Sequence, residues 1–236
     1  MPVFELEQDR LMFPPAYLAD ESGLLAVGGD LSPDRLIEAY AEGVFPWFNP
    51  GEEPLWWSPN PRFVLYPSKI KVSKSMRQVL RKKKFRVTFD QDFEGVISGC
   101  EEVYRPGQQG MTWISDELKA SYTELFNKGF IHSVEVWEGD ELVGGLYGGV
   151  MGKCFFGESM FAKTSNASKV GFIILSKNLE EHNFELIDCQ VHSNHLESLG
   201  AEMVNRAQFL KVLERNRQKK FEKNSWDKHF RTDFDF

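Results

Sequence analysis

Five prolines fall within residues 44–62, VFPWFNPGEEPLWWSPNPR. They constrain the backbone of this stretch more strongly than any other sequence feature constrains another part of the chain. Proline lacks a backbone N–H and fixes φ, so this spacing excludes a helix and a central strand. Large aromatic residues lie between the prolines and are therefore held on a stiff, irregular path. We place a domain boundary at the end of this stretch, which divides the chain into residues 1–62 and residues 63–236.

One helix is predicted before the proline stretch. Ser32 is placed to cap it, Pro33 occupies the first helical position and Gly43 follows its end, so we expect a helix over residues 32–42. The remainder of residues 1–62 is rich in turns. We expect this small N-terminal domain to serve as a wall of the main domain.

The rest of the chain alternates between helical and strand-like patterns, which predicts an α+β fold with mixed α/β character. Two apolar segments flank a turn at residues 138–140 and indicate a hairpin. The predicted helices cover residues 73–84, 92–101, 115–128, 167–181 and 206–217, and the predicted strands cover residues 85–89, 134–137, 142–150, 154–161 and 184–191.

Acidic residues are concentrated in the N-terminal domain. Residues 1–62 hold eleven acids and three bases, a net charge of −8, whereas the whole chain carries −7. A basic stretch without any acid follows at residues 69–86. It suits a surface that faces nucleic-acid phosphates, although a solvated basic helix face explains it equally well. Its basic residues are Lys69, Lys71, Lys74, Arg77, Arg81, Lys82, Lys83, Lys84 and Arg86.

The cytoplasm is the expected compartment. No apolar run approaches the roughly 20 residues that cross a bilayer. The first residues, MPVFELEQDR, carry acids where a signal peptide needs a basic flank and an apolar core. Cys100, Cys154 and Cys189 are odd in number and lack CxxC spacing, so we expect free thiols, with neither a disulfide framework nor a zinc site.

Asp188 and Gln190 are the first candidates for chemistry. On a strand over residues 184–191, alternation places both side chains on one face and Cys189 on the other. A carboxylate and a carboxamide among apolar neighbours are costly in a core unless they bind partners or a substrate. A functional pair is favoured, and a hydrogen-bonded structural pair at a strand end is the alternative.

Cysteine and histidine near this strand suggest two further chemistries. Cys189 is a candidate nucleophile, but no histidine accompanies it in a local signature. His192 and His195 lie three residues apart, a spacing that suits a metal pair. A cap or surface contact at a helix that begins near Ser193 is the more common explanation.

Glu158 lies in the strand-like segment FFGESMF, residues 155–161. Alternation places Phe156, Glu158 and Met160 on one face, so the acid lies between two apolar side chains. This suits a pocket that recognises both an apolar group and a positive charge. The alternative is a half-exposed edge strand with a solvated Glu158.

Tryptophan and glycine clusters leave further alternatives open. Trp47, Trp56, Trp57 and Trp113 are either core residues or stacking surfaces for an aromatic substrate or base. Neither glycine cluster, at residues 28–29 or 144–149, matches a nucleotide fingerprint. The first indicates a turn, and the second indicates a strand with close backbone approach.

Eight segments in order resemble the leucyl/phenylalanyl-tRNA–protein transferase family: GLLAVGGDLSP, FPWF, LWWSPNPR, TWI, GESMF, NASK, LIDCQ and SLGA. Each is short, but the ordered set spans residues 23–201 and is specific. The resemblance implies a small N-terminal domain packed on a C-terminal domain with a fold like that of GCN5-related acetyltransferases, a mixed sheet with flanking helices.

The implied reaction moves leucine or phenylalanine, and methionine less well, from tRNA to the α-amino group of proteins that begin with Arg or Lys. This marks them for degradation by the N-end rule. The aminoacyl ester is already activated, so no cofactor and no metal are expected. The implied partners are aminoacyl-tRNA and the acceptor proteins. We expect a monomer that binds no membrane.

The resemblance also assigns roles. Asp188 would polarise Gln190, and Gln190 would hold or help deprotonate the attacking amine; because a carboxamide is a poor base, orientation by Gln190 fits as well. Glu158 would complement the charge of the acceptor amine. The basic residues from Lys69 to Lys84 would meet the tRNA acceptor stem. The implied contacts to the aminoacyl group and terminal adenosine are Trp47, Trp113, Leu146, Phe155, Gly157, Ser159, Met160, Phe172, Leu175 and Ile187.

Two other functions remain open. An acetyl-CoA-dependent N-acyltransferase would need a backbone cradle for pyrophosphate at a helix start, and residues 161–169, FAKTSNASK, lack the glycine-rich turn expected there. A non-catalytic RNA-binding protein would use the basic stretch and the aromatic residues but would leave Asp188 and Gln190 without a role.

Overall fold

The computed structural model describes residues 3–102, 113–217 and 226–236, which form a four-stranded sheet, a seven-stranded sheet and flanking helices. This is a mixed fold, as predicted. The strands are β1 (Phe4–Leu6), β2 (Leu24–Gly28), β3 (Phe45–Pro46), β4 (Leu55–Trp57), β5 (Arg62–Leu65), β6 (Arg86–Phe89), β7 (Ile131–Glu138), β8 (Glu141–Met151), β9 (Cys154–Ala162), β10 (Leu186–Asp188) and β11 (Glu202–Val204). The helices are α1 (Pro33–Ala41), α2 (Lys74–Arg81), α3 (Phe93–Glu102), α4 (Asp116–Asn127), α5 (Ala167–Glu181), α6 (Asn194–Ser198) and α7 (Arg206–Arg217).

The smaller sheet has the order β1-β2-β4-β3. The helix predicted over residues 32–42 is confirmed as α1. The Ser32 hydroxyl accepts the Arg35 backbone N–H, Pro33 begins α1, and Gly43 has a φ of 72° just past its end. The proline stretch was expected to exclude a central strand, and this was wrong for β4. Its three residues contain no proline, so they pair with β2 on one side and β3 on the other.

The larger sheet has the order β11-β5-β10-β9-β8-β7-β6. Its pairs are antiparallel except β9 and β10, which run parallel. Helix α5 covers one face, packing on β7, β8 and β9, and α3 and α4 cover the other. The predicted hairpin is confirmed as β7 and β8, which also place the second glycine cluster in a strand.

The predicted strand at residues 184–191 is too long. Strand β10 ends at Asp188, and Gln190 has a φ of 61°, a left-handed conformation that no strand residue adopts. Strand β9 continues past this point, because Asp188 pairs with Phe156 and six further residues of β9 follow. Among the described residues, this portion of β9 has no strand neighbour on the β10 side, and the sheet opens there.

The two sheets share one hydrophobic cluster. The Tyr40 ring of α1 lies 5.6 Å from the Phe130 ring and 5.1 Å from the Phe156 ring of β9. Buried residues of the small sheet and of α3 and α4 join the same cluster, whereas α5 packs in a second cluster on the opposite face. A boundary at residue 62 stays a prediction; the sheets separate between Trp57 and Arg62, but their cores are continuous.

Other sequence expectations can be compared with the described residues. Cys100, Cys154 and Cys189 are buried thiols that take part in no disulfide, as predicted. None of the helices in the described part of the chain has the length and apolar character to cross a bilayer. Short strands without a local turn signal, β5 and β11 among them, were not predicted.

Gly148 offers a test of the strand register. A Cβ built there would lie 2.1 Å from the Phe156 carbonyl oxygen, a backbone atom that cannot move aside cheaply. We expect Gly148→Ala to lower the free energy of unfolding by about 1–3 kcal/mol or more. Gly157→Ala is the matched control, because its Cβ would meet the Asp188 carbonyl at an ordinary 3.4 Å. Equal chemical-denaturation midpoints for the two variants would contradict this register.

Candidate active site

A cavity of about 620 Å³ opens where β10 ends and β9 continues. The second half of β9 forms its floor, and residues 187–191 form one side. Strand β3 contributes Phe45 and Pro46 from the small sheet, and Trp47 follows directly after it, so residues 1–62 do supply a wall, as expected. Few polar groups interrupt the apolar lining, an arrangement typical of ligand sites.

Almost all of the residues predicted to bind the aminoacyl group, the terminal adenosine or the acceptor amine line this one cavity, and so do both predicted catalytic residues. Leu175 is the exception, since it lies fully buried on α5 and is absent from the lining. The predicted residues that do line the cavity are Trp47, Trp113, Leu146, Phe155, Gly157, Glu158, Ser159, Met160, Phe172, Ile187, Asp188 and Gln190.

Among the tryptophans that were expected to be either core residues or stacking surfaces, both kinds occur. Trp56 is a core residue whose indole N–H donates to the Gly28 carbonyl at 2.9 Å. Trp47 is 44% exposed at the mouth of the cavity, where the Trp57 indole N–H fixes its backbone carbonyl at 2.7 Å. Trp113 is buried in the cavity wall. Trp47 and Trp113 are thus the two that a ligand can reach.

Asp188 forms a buried ion pair with Arg62 of β5. The guanidinium Nε and Nη2 donate to the two carboxylate oxygens at 2.8 and 2.6 Å, and each side chain is 1% exposed. Phe45 and Phe209 hold the guanidinium between their rings, with centroids 4.7 and 4.6 Å from its carbon. This pairing explains how a carboxylate is accommodated in the apolar strand β10.

Gln190 reaches the site differently from the prediction. Strand alternation does not place it, because β10 has ended; the Asp188 carboxylate accepts the Gln190 backbone N–H at 2.9 Å and holds the turn. The Gln190 carboxamide donates to Glu158 Oε1 at 3.0 Å. Asp188 therefore contacts the backbone of Gln190, and the expected polarisation of its carboxamide by Asp188 is not what the geometry shows.

Glu158 is the second buried carboxyl of the site. Its Oε2 accepts the Tyr122 hydroxyl at 2.7 Å, and the Tyr40 hydroxyl lies 3.2 Å from that of Tyr122. Burial raises the pKa of Glu158 to about 7, although the Tyr122 and Tyr40 hydroxyls act to lower it. Burial also raises the pKa of both phenols, so they stay protonated and can donate. The solvated edge-strand alternative for Glu158 is excluded by its burial.

A register shift in β9 decides where Glu158 points. Tyr147 of β8 pairs with Ser159 while Gly148 pairs with Gly157, so Glu158 is the extra residue of a bulge. Alternation predicted Phe156 and Met160 on one face, and this was wrong. Phe156 joins the cluster beneath α3 and α4, whereas Met160 packs against the cluster beneath α5.

Cys189 is unsuited to nucleophilic chemistry. The thiol is buried in the cavity wall, and burial raises its pKa above the ordinary thiol range. The Sγ atom is 3.8 Å from the Ile187 carbonyl. A thiol kept neutral is a weak nucleophile.

The two histidines have different environments. His192 lies against the Phe63 ring and 3.3 Å from Glu197, whereas His195 lines the cavity, where burial and the nearby Lys169 lower its pKa. Ser193 caps α6, in line with the more common explanation. Within residues 3–102, 113–217 and 226–236, no cluster of three or more His, Cys, Asp or Glu is placed to hold a metal ion.

The basic stretch is exposed at every basic position from Lys69 to Arg86, on and around α2. Lys69 pairs with Glu202 and Lys84 with Glu138, and Arg81 contacts the Phe236 backbone carbonyl. No described residue forms an ion pair with Lys71, Lys74, Arg77, Lys82 or Lys83.

The stretch also approaches the cavity. The Lys71 backbone N–H donates to the Leu199 carbonyl at 2.8 Å, directly after α6. Helix α6 supplies His195 and Leu196 to the cavity lining. The basic surface therefore begins one helix away from the cavity wall.

Three residues central to the site were not identified from the sequence: Arg62, Tyr40 and Tyr122. Arg62 had a usable signal, because a lone charge at the start of the apolar segment RFVL implies a buried partner. Tyr40 and Tyr122 had none, since each lies on a helix and resembles an ordinary core residue until Glu158 is placed against them.

Comparison with known proteins gives a consistent result. The family model for leucyl/phenylalanyl-tRNA protein transferase matches residues 64–214, and the model for its N-terminal domain matches residues 29–60. A relative from Syntrophus aciditrophicus (strain SB), named leucyl/phenylalanyl-tRNA–protein transferase, is 52% identical over 93% of this chain and 91% of its own. A relative of the same name from Christiangramia forsetii is 58% identical over 85% of this chain and 95% of its own.

Solved structures are more distant. A functionally unknown conserved protein from Staphylococcus epidermidis ATCC 12228 has a TM-score of 0.38 at 10% identity, covering 77% of this chain and 68% of its own. Similarity at this level does not define a fold family. The likeness to GCN5-related acetyltransferases therefore stays a prediction.

Glu158 makes the stability of the fold depend on pH. Its pKa in the fold is about 7, against 4.5 for the free side chain, so ionising it costs stability progressively as pH rises through this interval. We expect the difference in free energy of unfolding between Glu158→Gln and the wild type to shift in favour of the variant by about 2 kcal/mol as the pH is raised from 5 to 8. Denaturant titrations at both pH values would measure this, with the exposed Glu214→Gln as control. A difference that does not change with pH would contradict the raised pKa.

Proposed function

This chain belongs to the leucyl/phenylalanyl-tRNA–protein transferase family and is an aminoacyltransferase; from this premise we propose that it transfers leucine or phenylalanine to proteins that begin with Arg or Lys. Methionine is a poorer donor. The products enter N-end-rule degradation in the cytoplasm. The observation that carries the proposal is the cavity at the end of β10, which combines an apolar lining with Glu158 and Gln190 in mutual contact.

The cavity suits the donor. Leu146, Phe155, Met160 and Phe172 present side chains that match a leucyl or phenylalanyl group, and burial of such a side chain contributes about 1.5–3 kcal/mol. Trp47 and Trp113 offer ring faces on which the terminal adenine can stack. Selection among apolar side chains by such a lining is modest, which fits a family that accepts more than one amino acid.

Glu158 and Gln190 suit the acceptor. An α-amine titrates at a pKa of about 7.7–8.0 and a lysine ε-amine near 10.4, so at neutral pH only the α-amine has an appreciable uncharged fraction. The pKa of Glu158 is about 7, close to that of the amine, which favours proton exchange between them. Gln190 lies 3.0 Å from Glu158 and holds the amine in line by its carboxamide oxygen.

The reaction follows from this placement. The uncharged amine nitrogen bonds to the ester carbonyl carbon, and the bond between that carbon and the ribose oxygen breaks. Glu158 takes the proton that leaves the nitrogen and returns it to the ribose oxygen, so atoms and charge balance. The ester supplies the driving force, and the protein supplies alignment, which can be worth several kcal/mol of barrier. Asp188 acts through the backbone of Gln190.

The basic stretch suits the tRNA. Its cations are exposed and begin one helix from the cavity, so an acceptor stem lying along them can deliver its end to the site. Such contacts to phosphates position the ligand without reading its sequence. We expect one copy of the chain to be sufficient. No observation favours an acetyl-CoA-dependent enzyme or a non-catalytic RNA-binding protein.

A transfer assay tests the proposal. Labelled Phe-tRNA is mixed with the protein and a peptide that begins with Arg, without ATP or CoA, beside the same peptide with its N-terminus acetylated. Label is expected on the free N-terminus alone, at a rate that increases from pH 6 to pH 8. Failure of the folded protein to transfer label from intact Phe-tRNA would refute the function.

Glu158→Gln is expected to lower the transfer rate by about 100-fold or more, because it removes a proton acceptor. The matched control is Glu135→Gln, another buried carboxyl, which bonds Ser133 and Thr88 outside the cavity. It should transfer at the wild-type rate once folding is verified. Equal loss in both variants would show that the effect is one of stability.

Lys74→Glu combined with Arg77→Glu tests the basic surface. Because both side chains are exposed, we expect tRNA affinity to fall and the slope of log affinity against log salt to lessen by about 1 for each phosphate that is no longer neutralised. Filter binding at several salt concentrations measures this. Lys211→Glu, an exposed charge reversal on α7, should leave the slope unchanged; equal effects would mean that net charge alone matters.

A further inference from the structure

The buried Arg62–Asp188 pair is more elaborate than charge neutralisation requires. Two parallel hydrogen bonds join the side chains, and the guanidinium is held between Phe45 and Phe209. Arg62 Nη1 is buried without a hydrogen-bond partner among the described residues. Such a pair gains little stability over apolar side chains of similar volume. Its geometry therefore indicates a purpose other than stability.

The orientation of Asp188 is what the pair fixes. A bidentate guanidinium holds the plane of a carboxylate, which a lysine ammonium cannot do. With its plane fixed, Asp188 Oδ1 accepts both the Arg62 Nε–H and the Gln190 backbone N–H, at 2.8 and 2.9 Å. One carboxylate oxygen thus links β5 to the turn after β10.

Gln190 needs such support. Its φ of 61° lies in the left-handed region, which is strained for a residue with a side chain and persists only where the surroundings impose it. The Phe63 N–H adds a long 3.4 Å bond to the Gln190 carbonyl. The turn presents the carboxamide to Glu158, so a change in the turn moves the group that orients the amine.

We propose that Arg62 is a positioning residue for aminoacyl transfer, which sets the Gln190 carboxamide against Glu158 by fixing the plane of Asp188. This rests on the proposed function, since it concerns the same reaction. Arg62 itself is absent from the cavity lining, so it does not contact the donor or the acceptor. Arg62 is also absent from the set of residues that we propose to contact the donor side chain.

A positioning role predicts a split between rate and binding. Arg62→Lys keeps the charge but loses the second hydrogen bond, so the plane of Asp188 is no longer held. We expect the single-turnover transfer rate, measured with enzyme in excess over Phe-tRNA, to fall about 100-fold, as for small misplacements of reacting groups. The dissociation constant for Phe-tRNA should stay at its wild-type value, because the apolar walls and the basic surface are intact.

Arg35→Lys is the matched control. Arg35 is also a fully buried arginine, which bonds Asp30 and the backbone carbonyls of Glu7, Gln8 and Arg10, away from the cavity. It should lose stability in a thermal melt yet keep the wild-type single-turnover rate. This separates loss of a buried arginine in general from loss of Arg62 in particular.

A second variant covers failure of Arg62→Lys to fold. Arg62→Met combined with Asp188→Asn removes both charges, so no unpaired charge is left in the core. It should fold and show the same split, a lower rate with unchanged Phe-tRNA binding. A wild-type rate in either folded variant would overturn the proposal, and so would a parallel loss of rate and binding. Absence of transfer by the wild type would instead refute the proposed function, and this inference with it.

Discussion

Burial of a carboxylate in an apolar strand is the constraint from which the site is built. Asp188 is the fully buried last residue of β10, an interior strand of the large sheet, where an isolated charge would cost several kcal/mol. Arg62 answers it from β5, and Phe45 and Phe209 bring the small sheet and α7 against the guanidinium. Four separate parts of the chain therefore meet around one ion pair. The turn that carries Gln190 and the adjoining cavity are the result of this meeting.

The cavity exists because two neighbouring strands have unequal lengths. Strand β10 stops after three residues, and β9 continues for six more beyond the last pair. A bulge in that free portion places Glu158 over Tyr122 and Tyr40. Burial then raises the pKa of Glu158 to about 7, within reach of an amine. A termination in the sheet, a single extra residue and two phenols thus produce a group suited to proton exchange at neutral pH.

Helix ends that depend on neighbouring residues could be predicted from the sequence, whereas features that depend on residues far apart in the chain could not. Caps and prolines define α1 and α4 within a few residues, so the sequence was sufficient there. The positive φ of Gln190 depends on a carboxylate held from β5, and no pattern within residues 184–191 reveals it. The bulge at Glu158 depends on close approach to Gly148 across the sheet. Arg62 and Asp188 are 126 residues apart, a pairing that only the fold provides. Family motifs supplied part of what physical patterns could not. Trp47 and Trp113, which the resemblance implied as binding residues, both line the cavity, although composition could not separate them from core tryptophans.

Phe45 has a double position, since one face of its strand borders the cavity while its ring packs on Arg62. A chimera that joins the first 62 residues of one relative to the remainder of another would therefore exchange more than a wall. Arg62 closes the first part and Asp188 belongs to the second, so the chimera would join a guanidinium from one relative to a carboxylate from the other and alter the setting of Gln190. The two parts of this enzyme are consequently poor candidates for recombination as interchangeable modules. Within each relative, the two parts are expected to match each other.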